Sequence, residues 1–493
     1  MNLYWGDMHN HCGISYGMGS LRNALCVART HLDFCCVTGH AMWPDICPRC
    51  EETAFVVDYH IRGFEKLQKG WQAVLGTVNA FNTEDLVTFQ SYEMHHSHLG
   101  DHHIISPDPD LPLIYRDTPT ELVRDCGRRA IAIPHHIAYT PGYRGICWDA
   151  FDRSVSPFVE VVSKHGCAMR EDGPLPYYHD MGPLDPRNTV AEGLRRGCRF
   201  SFAGSTDHHA GFPGAYGDGL TGVLAEGKNR EALWDALCKG HVYAVTSDRI
   251  ACRFTLNDAI MGDLTSTGSR AVRLWAEGDA PIEFMVIRKN GRIVASIVPS
   301  VAWKEPASDR IKLRVEMGWG SEQRKYHWDG TLRIDQGEIV CVKPYLRGVD
   351  AISPKDFDEK ASDEINQVDD GYEVCGNEVH FRCDTIPNKT ARHPQTCAFL
   401  FEVRAELGSY VTITVNGQTH THTIKELLQC GYSFQMKQWN SQAVKVHTAY
   451  TAHQCQAELA FEDVAEGSMD YYEAEVVQSN GSRAFISPIF VAN

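Results

Sequence analysis

Short runs of uninterrupted apolar residues recur through the first half of the chain, and nearly every run stops at a residue able to do chemistry. Residues 3–8 lead into Asp7-Met8-His9-Asn10-His11, and residues 33–38 stop at Gly39-His40. Residues 86–92 stop at Glu93, and a brief run, Ile104-Ile105, is entered from His102-His103. Residues 130–133 stop at Pro134-His135-His136, residues 158–162 at Ser163-Lys164-His165, and residues 200–204 at Ser205-Thr206-Asp207-His208-His209. After the first run, Ser20 is placed to cap a helix carrying Leu21, Leu25, Ala28 and Leu32 at near-helical spacing. Continuous apolar strands joined by crossovers predict a parallel sheet covered on both faces. Seven in succession predict a barrel of the β/α kind, where chemistry gathers at the C-terminal strand ends.

Beyond about residue 250 the pattern changes. Asn229 is placed to cap one more helix through Leu233 and Leu237, and strand-like text follows. Residues 282–287 and 292–295 flank Asn290-Gly291, a strong hairpin signal. Further strands are expected at 312–316, 338–342, 398–405, 410–415 and 471–477, with a short helix at 424–428 and a charged loop at 350–370. The expected class is therefore α/β: a distorted seven-stranded β/α barrel over residues 1–250, then a mainly β, sandwich-like domain over 251–493. A chain of 493 residues is in any case too long for one core.

Composition narrows the functions. Net charge is −16, so general nucleic-acid binding is not expected. No run of about 18 apolar residues suggests a membrane span, and the first residues lack the basic start of a signal peptide. The 18 cysteines show no framework spacing and read as thiols of a reducing compartment, so the expectation is a cytoplasmic protein. Cys47-Pro48-Arg49-Cys50 has zinc or redox spacing, but no second such pair accompanies it. The sequence leaves oligomerisation open.

The count that stands out is 24 histidines, seven of them between His95 and His136. His9 and His11, two apart on an extended segment, face the same way. Asp207 and His209 repeat that spacing, and Glu93 is a carboxylate placed to bridge two ions. Imidazole and carboxylate together suit Mn²⁺, Zn²⁺ or Fe²⁺. His95, His96 and His98 read as loop residues, and His179 lies on a Pro/Gly-bounded loop. Lys164 and His165 are expected to face the pocket and contact substrate. Arg144 and Arg170 are loop cations able to hold an anion, or simply solvated.

The ordered set of HxH, a strand ending in His, a strand ending in Glu, further His and a late DxH resembles the PHP (polymerase and histidinol phosphatase) superfamily. Gly6-Asp7-Met8-His9-Asn10-His11, Ile133-Pro134-His135-His136 and Gly204-Ser205-Thr206-Asp207-His208-His209 are most similar to its stand-alone bacterial branch with an appended β-sandwich, as is the stretch from Tyr471-Tyr472 to Ser487-Pro488-Ile489-Phe490-Val491. The resemblance implies a distorted seven-stranded barrel and up to three divalent ions. One ion would take His9, His11, Glu93 and Asp207. A second would take Glu93, His135 and either His102 or His103, and a third His40 and His209. The third departs from the family pattern: Cys12-Gly13-Ile14-Ser15-Tyr16-Gly17 holds neither His nor Asp, and Thr38-Gly39-His40 stands where Thr-Asp-His is usual. The implied activity is hydrolysis of a small-molecule organic phosphate ester by a metal-activated water, with Glu93, Asp207, Lys164 and His165 as catalytic candidates. The alternatives are hydrolysis of a carboxylic ester, lactone or amide by the same ions, and a metal-containing binding protein without turnover.

Overall fold

The computed structural model describes residues 1–178, 181–299, 309–320, 325–351, 371–386, 395–439 and 441–492. Most of the expected charged loop and His179 lie outside them. The described chain is mixed α/β and mostly sheet.

The first-half runs form strands where expected, but they do not make one continuous parallel sheet. Asn2–Asp7 pairs in parallel with Phe34–Cys35 and antiparallel with Leu220–Ala225. Phe34–Cys35 and Val87–Thr88 then leave the ladder, and their continuations, Gly39–Met42 and Gln90–Met94, pair with each other in a second, four-stranded sheet. There Gln90–Met94 runs antiparallel to His102–Ser106, which runs antiparallel to Ile131–Pro134. The reason is connection length: a parallel crossover needs about a dozen residues, and the link from Met94 to His102 is shorter. Ser201–Gly204, Phe158–Ser163 and Gly166–Cys167 form a third sheet. Met8, Phe34, Phe89, Ile105, Ile133, Phe158, Ala203 and Val223, from all three sheets, pack in one buried cluster.

The helices follow local rules. Ser20 accepts from the backbone of Asn23 and starts Leu21–His31, and Asn229 accepts from Ala232 and starts Arg230–Lys239. The second stops at Gly240, whose φ of 78° suits a residue without Cβ. The longest helix, Ala54–Ala80, was not foreseen. Its signal is present: Phe64, Leu67, Trp71, Val74, Leu75 and Val78 are buried along one face at three- and four-residue spacing. Among the described residues no helix is long and apolar enough to cross a membrane.

In the second half, Ile282–Lys289 and Arg292–Ile297 form the expected hairpin, with φ of 51° at Asn290 and 78° at Gly291. Ile424–Gln429 is the expected short helix, closed by a Thr423–Glu426 capping box. A six-stranded and a five-stranded sheet share one core, with Leu313, Val315, Phe399 and Phe401 from one and Trp328, Leu332, Phe381 and Ile413 from the other. The hydrogen bonding also crosses residue 250. Val242–Val245 pairs with Arg483–Ala492, which pairs with Met469–Gln478, so this late hairpin extends the sheet that holds Asn2–Asp7.

Candidate metal centre

Two loops with similar spacing lie side by side. The backbone N–H of His11 donates to the His208 carbonyl at 2.7 Å, and that of Asp207 donates to the His9 carbonyl at 2.7 Å. This register sets His9, His11, Asp207 and His209 around one point. Asp7, fully buried, ties the loops from behind: its carboxylate accepts from the Thr206 hydroxyl at 2.6 Å and from the backbone of Thr206, His9 and Gly214. Burial pushes its carboxyl up to about 6 against those hydrogen bonds.

Glu93 sits at the middle. One carboxylate oxygen lies 3.5 Å from His9 Nε2, 3.3 Å from His11 Nε2 and 3.4 Å from His40 Nε2. The other lies 3.3 Å from His135 Nε2 and 3.4 Å from His95 Nδ1. Asp207 Oδ1 is 3.1 Å from His11 Nε2 and 3.4 Å from His9 Nε2, while its Oδ2 is 2.8 Å from His165 Nε2. His103 faces Glu93 directly across the antiparallel pair. Three groupings resemble the expected ligand sets: His9, His11 and Glu93; His9, His103 and His135; His11, His40 and His209. In each, the donor atoms lie within 4.8 Å of one another. Two more, His40–Glu93–His95 and Asp101–His135–His136, extend the cluster toward residues read as loop positions.

The donor chemistry fits a cation. Both ring nitrogens of His103 and of His135, Nδ1 of His11 and Oε2 of Glu93 are buried without a hydrogen-bond partner. Such groups cost free energy unless something else satisfies them. Burial pushes His40, His103, His135 and His209 well below the usual histidine range, so they stay neutral with lone pairs available. Burial pushes Glu93 up, but His40, His95 and His135 around it bring it well below the ordinary carboxylate range. These four neutral imidazoles beside an ionised carboxylate are in the protonation states that metal binding requires. Burial pushes His9 down as well, but Asp207 and Glu160 outweigh it and hold that ring well above the usual histidine range, so a cation there would displace a proton.

Backbone strain gathers here too. His136, Arg144 and Asp207 have φ of 33°, 70° and 51°, a region that costs most non-glycine residues about 1–3 kcal/mol. All three line an open cleft of about 570 Å³ over the cluster, with His40, Glu93, His135, His165 and His209.

The remaining expected residues divide. His165 reaches the cleft, held between Asp207 and the Tyr139 hydroxyl at 2.7 Å from its Nδ1. Lys164 does not line the cleft: it and His165 form the two-residue turn between the strands Phe158–Ser163 and Gly166–Cys167, and its Nζ lies 2.5 Å from Asp350 and 3.0 Å from Asp218. His102 is turned away because neighbouring residues of a strand face opposite sides, and its Nδ1 donates to the Gly100 carbonyl at 2.8 Å beside Thr120 and Phe151. Arg144 reaches the cleft but is committed to Asp101, with Nε at 2.6 Å. Arg170 pairs with Glu475 at 3.0 Å, outside the cleft lining. Of the isolated cysteine pair, Cys47 lines the cleft and Cys50 lies 3.3 Å from the Thr53 hydroxyl; among the described residues neither joins a group able to hold an ion.

The sequence reading missed Glu160, Asp101, Tyr16 and His136. Glu160, buried, lies 2.8 Å from His9 Nδ1 and fixes which nitrogen of that ring faces the cluster. Its signal was a lone carboxylate inside the apolar run Phe158-Val159-Glu160-Val161-Val162. Asp101 holds His95 at 2.8 Å, and the Tyr16 hydroxyl lies 2.9 Å from the other nitrogen of that ring. Glu160→Gln is expected to weaken metal binding by about 10–100-fold, the usual cost of losing a carboxylate behind a ligating imidazole. A competition titration against a chelator checks this, and unchanged affinity would show that His9 needs no such support.

No family model matches the chain. An uncharacterised protein of Chlamydia pneumoniae is 34% identical over 130 residues, covering 23% of this chain and 21% of that protein. An uncharacterised protein of Chlamydia muridarum is 28% identical over 173 residues, covering 31% and 28%. The chain thus spans well under a third of the length of these relatives. Among solved structures, a Bacteroides vulgatus two-domain protein, described as containing a predicted PHP-like metal-dependent phosphoesterase, is similar at 13% identity and a TM-score of 0.32 over 58% of this chain and 79% of that one.

Proposed function

We propose that the chain is a metal-dependent hydrolase of the PHP type acting on an organic phosphate ester, with residues 1–250 carrying the chemistry. The observation that carries this reading is the set of buried, unpartnered imidazole nitrogens converging on the Glu93 carboxylate. His9, His11, Glu93 and Asp207 would hold one divalent ion, and Glu93, His103 and His135 a second. His11, His40 and His209 are the place for a third. When bound, such ions lower the pKa of water and polarise the scissile group. The chain's own residues do the rest. Glu93 and Asp207 neutralise charge at the centre. His165, held between Tyr139 and Asp207, stands at the cleft wall where it can pass a proton to a leaving oxygen. Arg144, fixed by Asp101, shapes the rim.

A second reading is cleavage of a carboxylic ester, lactone or amide by the same site. It draws support from the lining: no lysine is among the described cleft residues, and the one arginine is already paired. Protein purified without chelator from metal-supplemented medium should carry about two tightly held transition-metal ions per chain by elemental analysis, and should cleave phosphate esters faster than lactones or amides. Absence of any bound metal removes the whole reading. Turnover of lactones or amides alone selects the second.

A further inference from the structure

One wall of the cleft, starting at His40 of the metal cluster, is built from aromatic rings. Tyr16 stacks on His40 with ring centres 3.5 Å apart, Tyr59 lies 4.7 Å from Tyr16, and His60 lies 5.4 Å from Tyr59. Trp43 continues the series, 5.0 Å from His60. The Trp43 indole is held in place from two sides: its Nε1 donates to the Ser97 hydroxyl at 3.0 Å, and the Arg144 guanidinium carbon lies 5.2 Å from its ring centre. Phe55 and Tyr143 line the same cleft and are 75% and 73% exposed. Large rings left that open to water gain free energy when another apolar surface covers them.

Charge points the same way. Arg144 is the only lysine or arginine among the described lining residues, and Asp101 already holds it. A substrate rich in anionic groups would find no unengaged cation along this wall. One acidic group can sit at the metal cluster, and the rest of the molecule must suit aromatic faces. A cleft of about 570 Å³ has room for a molecule of that kind.

We propose that the substrate is a small molecule with a single acidic or ester group bonded to a planar aromatic moiety, and that Trp43, Tyr59, Phe55 and Tyr143 form the subsite for that ring. The inference rests on the metal-hydrolase reading for the group at the ions, but binding tests it separately from turnover. The probes are naphthalen-2-ylmethylphosphonate and methylphosphonate, titrated by calorimetry into the Mn²⁺-loaded full chain. The aromatic probe is expected to bind at least about tenfold tighter, as aromatic stacking plus burial would give. In Phe55→Ala/Tyr143→Ala, both exposed positions, that ratio should fall to about threefold or less, and Trp43→Phe should retain it. Equal affinities for the two probes overturn the subsite, as does a preference undiminished in the double variant. Hydrolysis of naphthalen-2-ylmethyl phosphate and ethyl phosphate, whose leaving alcohols are both alkyl, is then measured. A protein that prefers the aromatic phosphonate yet cleaves neither ester keeps the subsite and loses the phosphatase reading.

Discussion

Glu93→Gln should lose most of its bound metal and at least about 100-fold of its activity, equivalent to about 2.7 kcal/mol at the transition state. The substitution keeps the shape of the side chain. It replaces an oxygen ringed by His9, His11 and His40, or one facing His95 and His135, with an amide nitrogen that can only donate. It also removes a charge that lies within 3.5 Å of all five rings. Chelated wild-type and variant protein should unfold at similar temperatures, because the exchange is nearly isosteric and the apolar cluster around Met8 and Phe34 is untouched. Glu121→Gln is the control: Glu121 is exposed in the helix Pro119–Asp125, and its backbone N–H donates to the Thr118 cap. Elemental analysis and steady-state kinetics on the three proteins decide the matter. A fully active Glu93→Gln enzyme with its metals in place would mean that the centre of the cluster has been misassigned.

The second large effect should fall on stability. Lys164 is 5% exposed and sits between Asp218 and Asp350. Burial works against its charge, but the two carboxylates outweigh it and hold its pKa above the ordinary lysine value. Lys164→Met would leave two carboxylates facing each other in a half-dry site, and breaking a buried pair in this way costs about 3 kcal/mol or more. The denaturant midpoint should drop accordingly, while metal content and turnover of the folded protein stay near wild type. Adding Asp350→Asn should recover part of the loss, since it removes one of the two carboxylate charges that Lys164 offsets. A large fall in turnover at unchanged stability would instead return Lys164 to the chemistry. Asp350 lies far along the sequence from Lys164, so this contact also ties the second half of the chain to the back of the candidate centre.

Much of the candidate centre was legible because its residues stand where apolar runs stop. His9, His11, His40, Glu93, His135, Asp207 and His209 all meet in space. Adjacent pairs were harder. His102 and His103 are both buried, and only the strand's register against Gln90–Met94 shows that His103 faces Glu93. Lys164 and His165 were both expected at the pocket, but they are the two turn residues between Ser163 and Gly166, and of the two His165 lines the cleft. Glu160 was overlooked because it lies inside a run rather than at its end. Strand direction was not readable either: an apolar run has the same composition whether its neighbour is parallel or antiparallel, and the short link from Met94 to His102 was the available clue. In the second half, Asn290-Gly291 and Thr423 with Glu426 were clear, because turns and caps are local. The partner of the late hairpin was not, since Tyr471 and Phe490 would look the same whichever edge they covered.

That hairpin matters for how the molecule is made. The Ser487 hydroxyl donates to the carbonyl of Val242, a residue 245 positions earlier. At about 5–20 residues per second, a ribosome needs roughly 12–50 s to supply that distance. Throughout that interval the backbone edge of Val242–Val245 has no partner on that side, in the same sheet as the strand that leads to His9. The growing chain therefore carries an open, apolar sheet edge beside a nearly assembled metal pocket. Slowing synthesis in this stretch, or holding the nascent chain with a chaperone, should change the yield of native protein more than any surface substitution does.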